Sequence, residues 1–180
     1  MELSQSQIIP LPRQQVWDAL NDPAILKACI AGCESLERIS ETEYALAITA
    51  AIGPVKAKFK GKLQLADLDP PRRYTLSFDG QGGVAGFGKG SAAVSLHEEA
   101  AGTRLDYSVK AQVGGRIAQV GSRLIDAAAK KMAEDFFAAF KRQLAPGEVP
   151  AAPPAKGLPR LVWWIMLGAA LALAAYFLMR

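Results

Sequence analysis

Residues 161–179 run from Leu161-Val162-Trp163-Trp164 to Tyr176-Phe177-Leu178-Met179 without one charged side chain. A helix that is apolar all round cannot lie on the surface of a soluble domain; it must be enclosed on every side or sit in lipid. As a helix these 19 residues would reach about 29 Å, against about 30 Å of bilayer hydrocarbon. Eight of them are Leu, Ile, Val or Phe, and together they favour insertion by about 2–5 kcal/mol. Trp163 and Trp164 near one end and Tyr176 near the other suit the two interfaces, where an aromatic body meets lipid and its polar atom meets water. Leu161 and Met179 close the span, and the pattern predicts a single transmembrane helix over 161–179. Gly168 and Ala172 have the small-residue spacing that lets two such helices approach.

Ahead of this run, residues 146–160 contain five prolines, which forbid helix and favour an extended tether of about 45 Å reach. The rest, 1–145, is the size of one ordinary domain. The formal charge is +4, but Lys156, Arg160 and Arg180 lie outside the domain, leaving 18 basic against 17 acidic residues before position 151. That balance gives no support to a nucleic-acid partner. The amino terminus lacks the basic start and apolar core of a secretory signal. Lys156 and Arg160, backed by Lys141 and Arg142, flank the apolar run on the domain side. The positive-inside bias therefore predicts a single-pass protein of the cytoplasmic membrane with its domain on the cytoplasmic side.

Within the domain, Glu2 to Ile9 reads as a strand, and Pro10-Leu11-Pro12 opens a helix with Val16, Trp17 and Leu20 on one face. Asn21-Asp22-Pro23 breaks it and begins a second short helix reaching about Cys29. After Gly32 the apolar period becomes two, through Tyr44–Ile48, Val55–Leu63, Tyr74–Phe78, Ala92–Leu96 and Arg104–Val109, with Gly53-Pro54, Asp69-Pro70-Pro71 and Ala101-Gly102 as turns. From Gly115 to Leu144 the period returns to 3.6, with Ile117, Val120, Leu124, Ala128, Met132, Phe136 and Phe140 on one stripe. One strand, two short helices, about six strands and a long helix is an α+β order that resembles the helix-grip arrangement. In it an antiparallel sheet wraps the long C-terminal helix. Small residues at Gly114, Gly115, Gly121 and Ala127-Ala128-Ala129 predict a hollow, apolar interior. Phe59, Phe78, Leu124, Met132 and Phe136 are its expected lining, and Phe87, in the glycine-rich stretch 80–91, is either a flap over it or part of a plain turn.

Several local patterns invite chemistry. Cys29 and Cys33 are four apart, but a closed zinc site wants four ligands and His97 is the only histidine; no metal site is predicted. His97 stands beside Glu98 and Glu99, which could hold its tautomer, yet a solvated strand end explains it as well. Gly88-Lys89-Gly90-Ser91 lacks the Lys-Ser/Thr pair and following helix of a phosphate loop. No catalytic residue is expected. Lys56, Lys58, Lys60 and Lys62 alternate on one strand and project from one face. They form a solvated outer face in the first reading, or a dock for an acidic partner or anionic lipid in the second, and their mutual repulsion makes the dock worth testing.

The local resemblance is closer than the element order. Leu20-Asn21-Asp22-Pro23 with Leu26 to Glu37 resembles the start of the family of the G subunit of carbon monoxide dehydrogenase. Gly53-Pro54-Val55-Lys56-Ala57, Asp67 to Pro71, Gly86-Phe87-Gly88-Lys89-Gly90-Ser91-Ala92 and Gln112 to Gln119 follow in the family's order. Ala31 departs from it, since the family usually has proline before the Gly-Cys. The resemblance implies a START-like domain linked to molybdenum hydroxylases of the carbon monoxide dehydrogenase type and to their attachment to the membrane. It implies no catalytic residues. An apolar pocket held near a bilayer adds the expectation of a quinone or membrane lipid as a non-covalent ligand, with no covalently bound cofactor. Two other readings stay open: a cyclase-like enzyme acting on aromatic compounds, because START-like folds resemble polyketide cyclases, and a lipid carrier with no dehydrogenase partner.

Overall fold

A computed structural model describes residues 1–144. Strand β1 (Glu2–Ile9) leads into helices α1 (Arg13–Leu20) and α2 (Pro23–Cys29). Six strands follow: β2 (Cys33–Arg38), β3 (Glu43–Ile52), β4 (Val55–Asp69), β5 (Arg73–Gln81), β6 (Phe87–Glu99) and β7 (Gly102–Gly114), and then helix α3 (Ser122–Leu144). All seven strands form one sheet in the order β1-β7-β6-β5-β4-β3-β2, with every pairing antiparallel. This is the expected meander, except that β1 crosses to pair with the last strand. None of the helices among the described residues is long and apolar enough to cross a membrane. The linker 146–160 and the run 161–179, with Leu161, Trp163, Trp164, Tyr176 and Met179, lie outside the described residues.

The local signals act as read. Asp22 caps α2, accepting from the backbone N–H of Ala24 at 2.8 Å, and Pro23 occupies the first turn, where its missing N–H costs nothing. Gly53 and Pro54 close the hairpin that pairs Ile52 with Val55. At the β5–β6 connection a short 3₁₀ turn, Gly83–Ala85, is followed by Gly86 at φ +110°. A Cβ there would stand 1.9 Å from the carbonyl oxygen of Gly114, so only glycine fits.

One expectation about the elements needs correction. The long helix begins at Ser122, not Gly115: Gly115 and Gly121 both have positive φ and isolate 115–120 as a 3₁₀ segment, which removes Ile117 and Val120 from the helical stripe. Strand β2 had no periodic signal because Leu36 is its only buried residue. The core is closed within the described residues. Ile9, Val16, Leu96, Leu105 and Phe140 have essentially no exposed surface, and one cluster joins β1, both short helices, the inner sheet face and the C-terminal half of α3.

Candidate ligand cavity

The inner face of the sheet is built from alternate residues, and its central positions are small. Gly61, Gly80, Gly88, Gly90, Ala92 and Ala111 alternate with outward residues on β4 to β7, and α3 faces them with Ala129 and Ala133. Small residues meeting small residues across the sheet–helix layer leave space. A chamber of about 400 Å³ is lined by Ile48, Ile52, Phe59, Phe78, Ile125 and Met132 among others. A second, of about 300 Å³, lies among Tyr44, Leu76, Tyr74, Val94, Tyr107 and Phe136. Ile30 and Leu63 line both, so the chambers are neighbours across these side chains. Each lies within the size range of small-molecule pockets. Two larger concavities, of about 760 and 870 Å³, lie on the polar outer face of the same sheet and are lined largely by serine, threonine and charged side chains.

The larger chamber is walled by apolar side chains and glycine, whereas the smaller one carries three phenols. The Tyr107 hydroxyl donates to Gln5 Oε1 at 2.8 Å, and that of Tyr44 donates to the Asn21 carbonyl at a long 3.5 Å. Tyr74 is 6% exposed, and its hydroxyl has no hydrogen-bond partner among the described residues. Burial, and secondarily the neighbouring Tyr44, push its pKa far above the ordinary phenol value, so it stays protonated and able to donate. Its ring meets Trp17 edge-on at 5.5 Å. Phe136 stacks on Phe140 at 5.7 Å and meets Phe137 edge-on at 5.1 Å, which fixes the wall on the α3 side.

The structure places Phe59, Phe78, Phe87 and Met132 on the larger chamber and Phe136 on the smaller one. Leu124 is a correction. It lines neither chamber, is 49% exposed and lies over Gly53; with α3 starting at Ser122, the inward position of that turn belongs to buried Ile125. Room for the rings of Phe59 and Phe87 comes from Gly82 and Gly114, where a Cβ would come within 2.4 Å of ring atoms. The sequence reading missed Tyr74 and the β3 residues Leu46, Ile48 and Ile52. Their alternation was visible, but nothing local marks which strand residues face a void.

Lys56, Lys58, Lys60 and Lys62 are exposed on the outer face of β4. Their repulsion is partly relieved, contrary to expectation. Lys58 pairs with Glu34, and Lys62 with Glu43 at 2.7 Å. Lys58 and Thr49 hold the Glu34 carboxyl below the usual carboxylate range, and Glu43 raises the Lys62 ammonium. Lys56 and Lys60 make no ion pair among the described residues. The other candidates are ordinary in their surroundings. Cys29 is buried and Cys33 half-buried, both free, with burial raising both thiols. His97 is held by Asp106 at 3.4 Å rather than by its sequence neighbours, since Glu98 turns to Arg13 and Glu99 to Arg104. Gly88 to Ser91 lie within β6.

An antiparallel sheet gripping one long helix, with an apolar two-chambered cavity between them, defines a helix-grip cavity protein. Within that class the assignment is specific. The model of the CoxG family, the G subunit of carbon monoxide dehydrogenase, matches residues 6–145, and the chain belongs to this family. Among solved structures, a conserved protein from Geobacillus kaustophilus is 33% identical, with a TM-score of 0.76 over 81% of this chain and 96% of that one. A protein from Rhizobium leguminosarum (13% identity, TM-score 0.64, covering 81% of this chain and 95% of that one) shares the fold. So does one from Thermus thermophilus (17%, 0.62, 82% and 100%). No match was found among curated proteins.

Proposed function

We propose that this chain is a non-catalytic accessory protein that brings a molybdenum-containing, carbon monoxide dehydrogenase-type enzyme to the cytoplasmic membrane and takes up a quinone or lipid in its cavity. Family membership supports the accessory role, and the apolar run at 161–179 supports the anchor. The observation that carries the ligand reading is the pair of adjoining apolar chambers of about 400 and 300 Å³. An amphiphile would put its apolar part in the larger one and an acceptor oxygen against the unpartnered Tyr74 hydroxyl in the smaller. The unpaired Lys56 and Lys60 are the residues of the lysine row available to an acidic enzyme surface.

The full chain, tagged and purified from membranes, should carry a molybdenum hydroxylase, and its organic extract should contain a quinone or lipid by mass spectrometry. Gly80→Leu supplies the control: a Cβ at Gly80 meets nothing nearer than 3.6 Å, so the leucine grows into the larger chamber and should empty the extract while the enzyme still copurifies. No copurifying hydroxylase would refute the accessory role; an extract equally empty before and after the substitution would refute the ligand.

A further inference from the structure

Three turns, each taken with the element ends that flank it, ring one end of the larger chamber: residues 50–56 from the end of β3 into β4, 82–89 from the β5–β6 turn into β6, and 114–124 from the end of β7 into the first turn of α3. Phe87, which lines the chamber and belongs to the second of these segments, is 37% exposed. Apolar side chains project from the same rim. Val84, at the tip of the β5–β6 connection, is 85% exposed, and Leu124 at the start of α3 is 49% exposed. These three segments hold four basic residues, Lys56, Lys89, Arg116 and Arg123, and no acidic one. Among the described residues none of the four makes an ion pair, although Lys89 stands across from Asp79 of β5 and over the Phe87 ring at 6.0 Å, which leaves Lys56, Arg116 and Arg123 as the cations without such a neighbour.

The opposite end of the sheet has the reverse character. Its turns, 37–43, 67–73 and 98–104, hold seven carboxylates and four arginines. Those arginines are occupied: Arg72 and Arg73 on Asp69, Arg104 on Glu99 and Asp106, and Arg38 over the Tyr44 ring. The domain is thus electrically polarised along its strands, with uncompensated positive charge at the mouth.

From this juxtaposition we propose that the mouth itself docks on an anionic lipid bilayer, with Val84 and Leu124 entering the acyl boundary and the four cations meeting headgroups. A protein interface favours a broad, closely packed apolar centre with satisfied polar groups. Separate apolar points flanked by unpaired cations instead match the interfacial mode of membrane binding. The polarity also orients the encounter, turning the acidic end away from the surface. Helix α3, of 23 residues and about 34 Å, ends at the acidic end. The 15 residues 146–160 would span about 45 Å if extended, so a tail in the same bilayer leaves the mouth free to reach it. Such docking requires neither the tail nor a ligand in the chamber, and so goes beyond the proposed function.

The test uses residues 1–146, one compact unit of the chain with its own core cluster among the described residues, and a similar solved protein from Geobacillus is 96% covered by this chain. Sedimentation with phosphatidylcholine vesicles, with and without one-third phosphatidylglycerol, should show binding that requires the anionic lipid and weakens with salt. Arg116→Gln with Arg123→Gln should weaken it about 25-fold, at about fivefold per charge, and Val84→Asp about tenfold. Lys58→Gln with Lys62→Gln should leave it nearly unchanged. Circular dichroism should show wild-type folding, since all these side chains are exposed. Absence of binding, equal binding to neutral vesicles, or mouth variants that bind lipid like wild type would overturn the proposal. So would mouth variants that lose only the purified dehydrogenase, which would make the mouth a protein dock.

Discussion

Replacing Tyr74 by phenylalanine should make the domain more stable and its ligand binding weaker. The Tyr74 hydroxyl lies in a residue only 6% exposed and donates to no group among the described residues. A hydroxyl sealed away without a partner costs about 1–3 kcal/mol, and the Tyr74 hydroxyl falls at the low end because it is not wholly enclosed: among the described residues Arg13 Nε is the fully buried side-chain atom that lacks a partner. Tyr74→Phe should therefore stabilise the ligand-free domain by about 1 kcal/mol, raising the thermal midpoint by about 3 °C for a domain of this size. Tyr107→Phe is the matched control. Its hydroxyl makes a 2.8 Å bond to Gln5, so the same chemical change should cost about 1 kcal/mol. The two variants should move urea midpoints of delipidated protein in opposite directions, at unchanged denaturant slope. Titration with a short-tailed benzoquinone should then show about fivefold weaker binding for Tyr74→Phe, the loss of one neutral hydrogen bond. Destabilisation of Tyr74→Phe equal to that of Tyr107→Phe would mean that its hydroxyl is already satisfied, and the reasoning would fail.

The same residue contributes to the loss of stability at alkaline pH. Its pKa is raised by burial and then by Tyr44, so stability is complete below the unfolded phenol value near 10 and is lost above it, by up to about 1.4 kcal/mol per pH unit; urea midpoints measured from about pH 9 to 11 should fall for wild type and less for Tyr74→Phe. Phe140→Ala removes a side chain with no exposed surface that is stacked on Phe136 and should cost about 3–5 kcal/mol; a loss below about 1.5 kcal/mol on denaturant unfolding would place the core elsewhere. Asp22→Ala removes the cap of α2 and should cost about 1 kcal/mol by the same measurement.

What was legible in the sequence is what depends on near neighbours. The alternation in β3 to β7, the Asp22-Pro23 helix start and the Gly53-Pro54 turn are decided within a few residues, and the structure keeps them. Features decided across the sheet were not. Positive φ at Gly115 and Gly121 splits what reads as one helix, because glycine in a helical pattern is locally tolerated and only the close approach of Gly86 to Gly115 makes the break necessary. That shift of phase exchanged Leu124 for Ile125 as the inward residue. The lysine row looked self-repelling because Glu34 and Glu43, its partners, are 24 and 19 residues away. Tyr74 looked like any strand aromatic; what distinguishes it is a missing partner, and no sequence window records an absence.

The glycines facing the larger chamber fall into two kinds. A Cβ on Gly61 would strike the Asp79 carbonyl at 2.2 Å and one on Gly90 the Lys110 carbonyl at 2.1 Å, whereas Gly80 and Gly88 meet nothing nearer than 3.6 and 3.8 Å. The first pair is demanded by the sheet and the second is not. A backbone of this shape therefore has room for a Cβ at the second pair and none at the first. In this architecture the volume of the chamber is a heritable setting at two strand positions, separable from the fold that surrounds them.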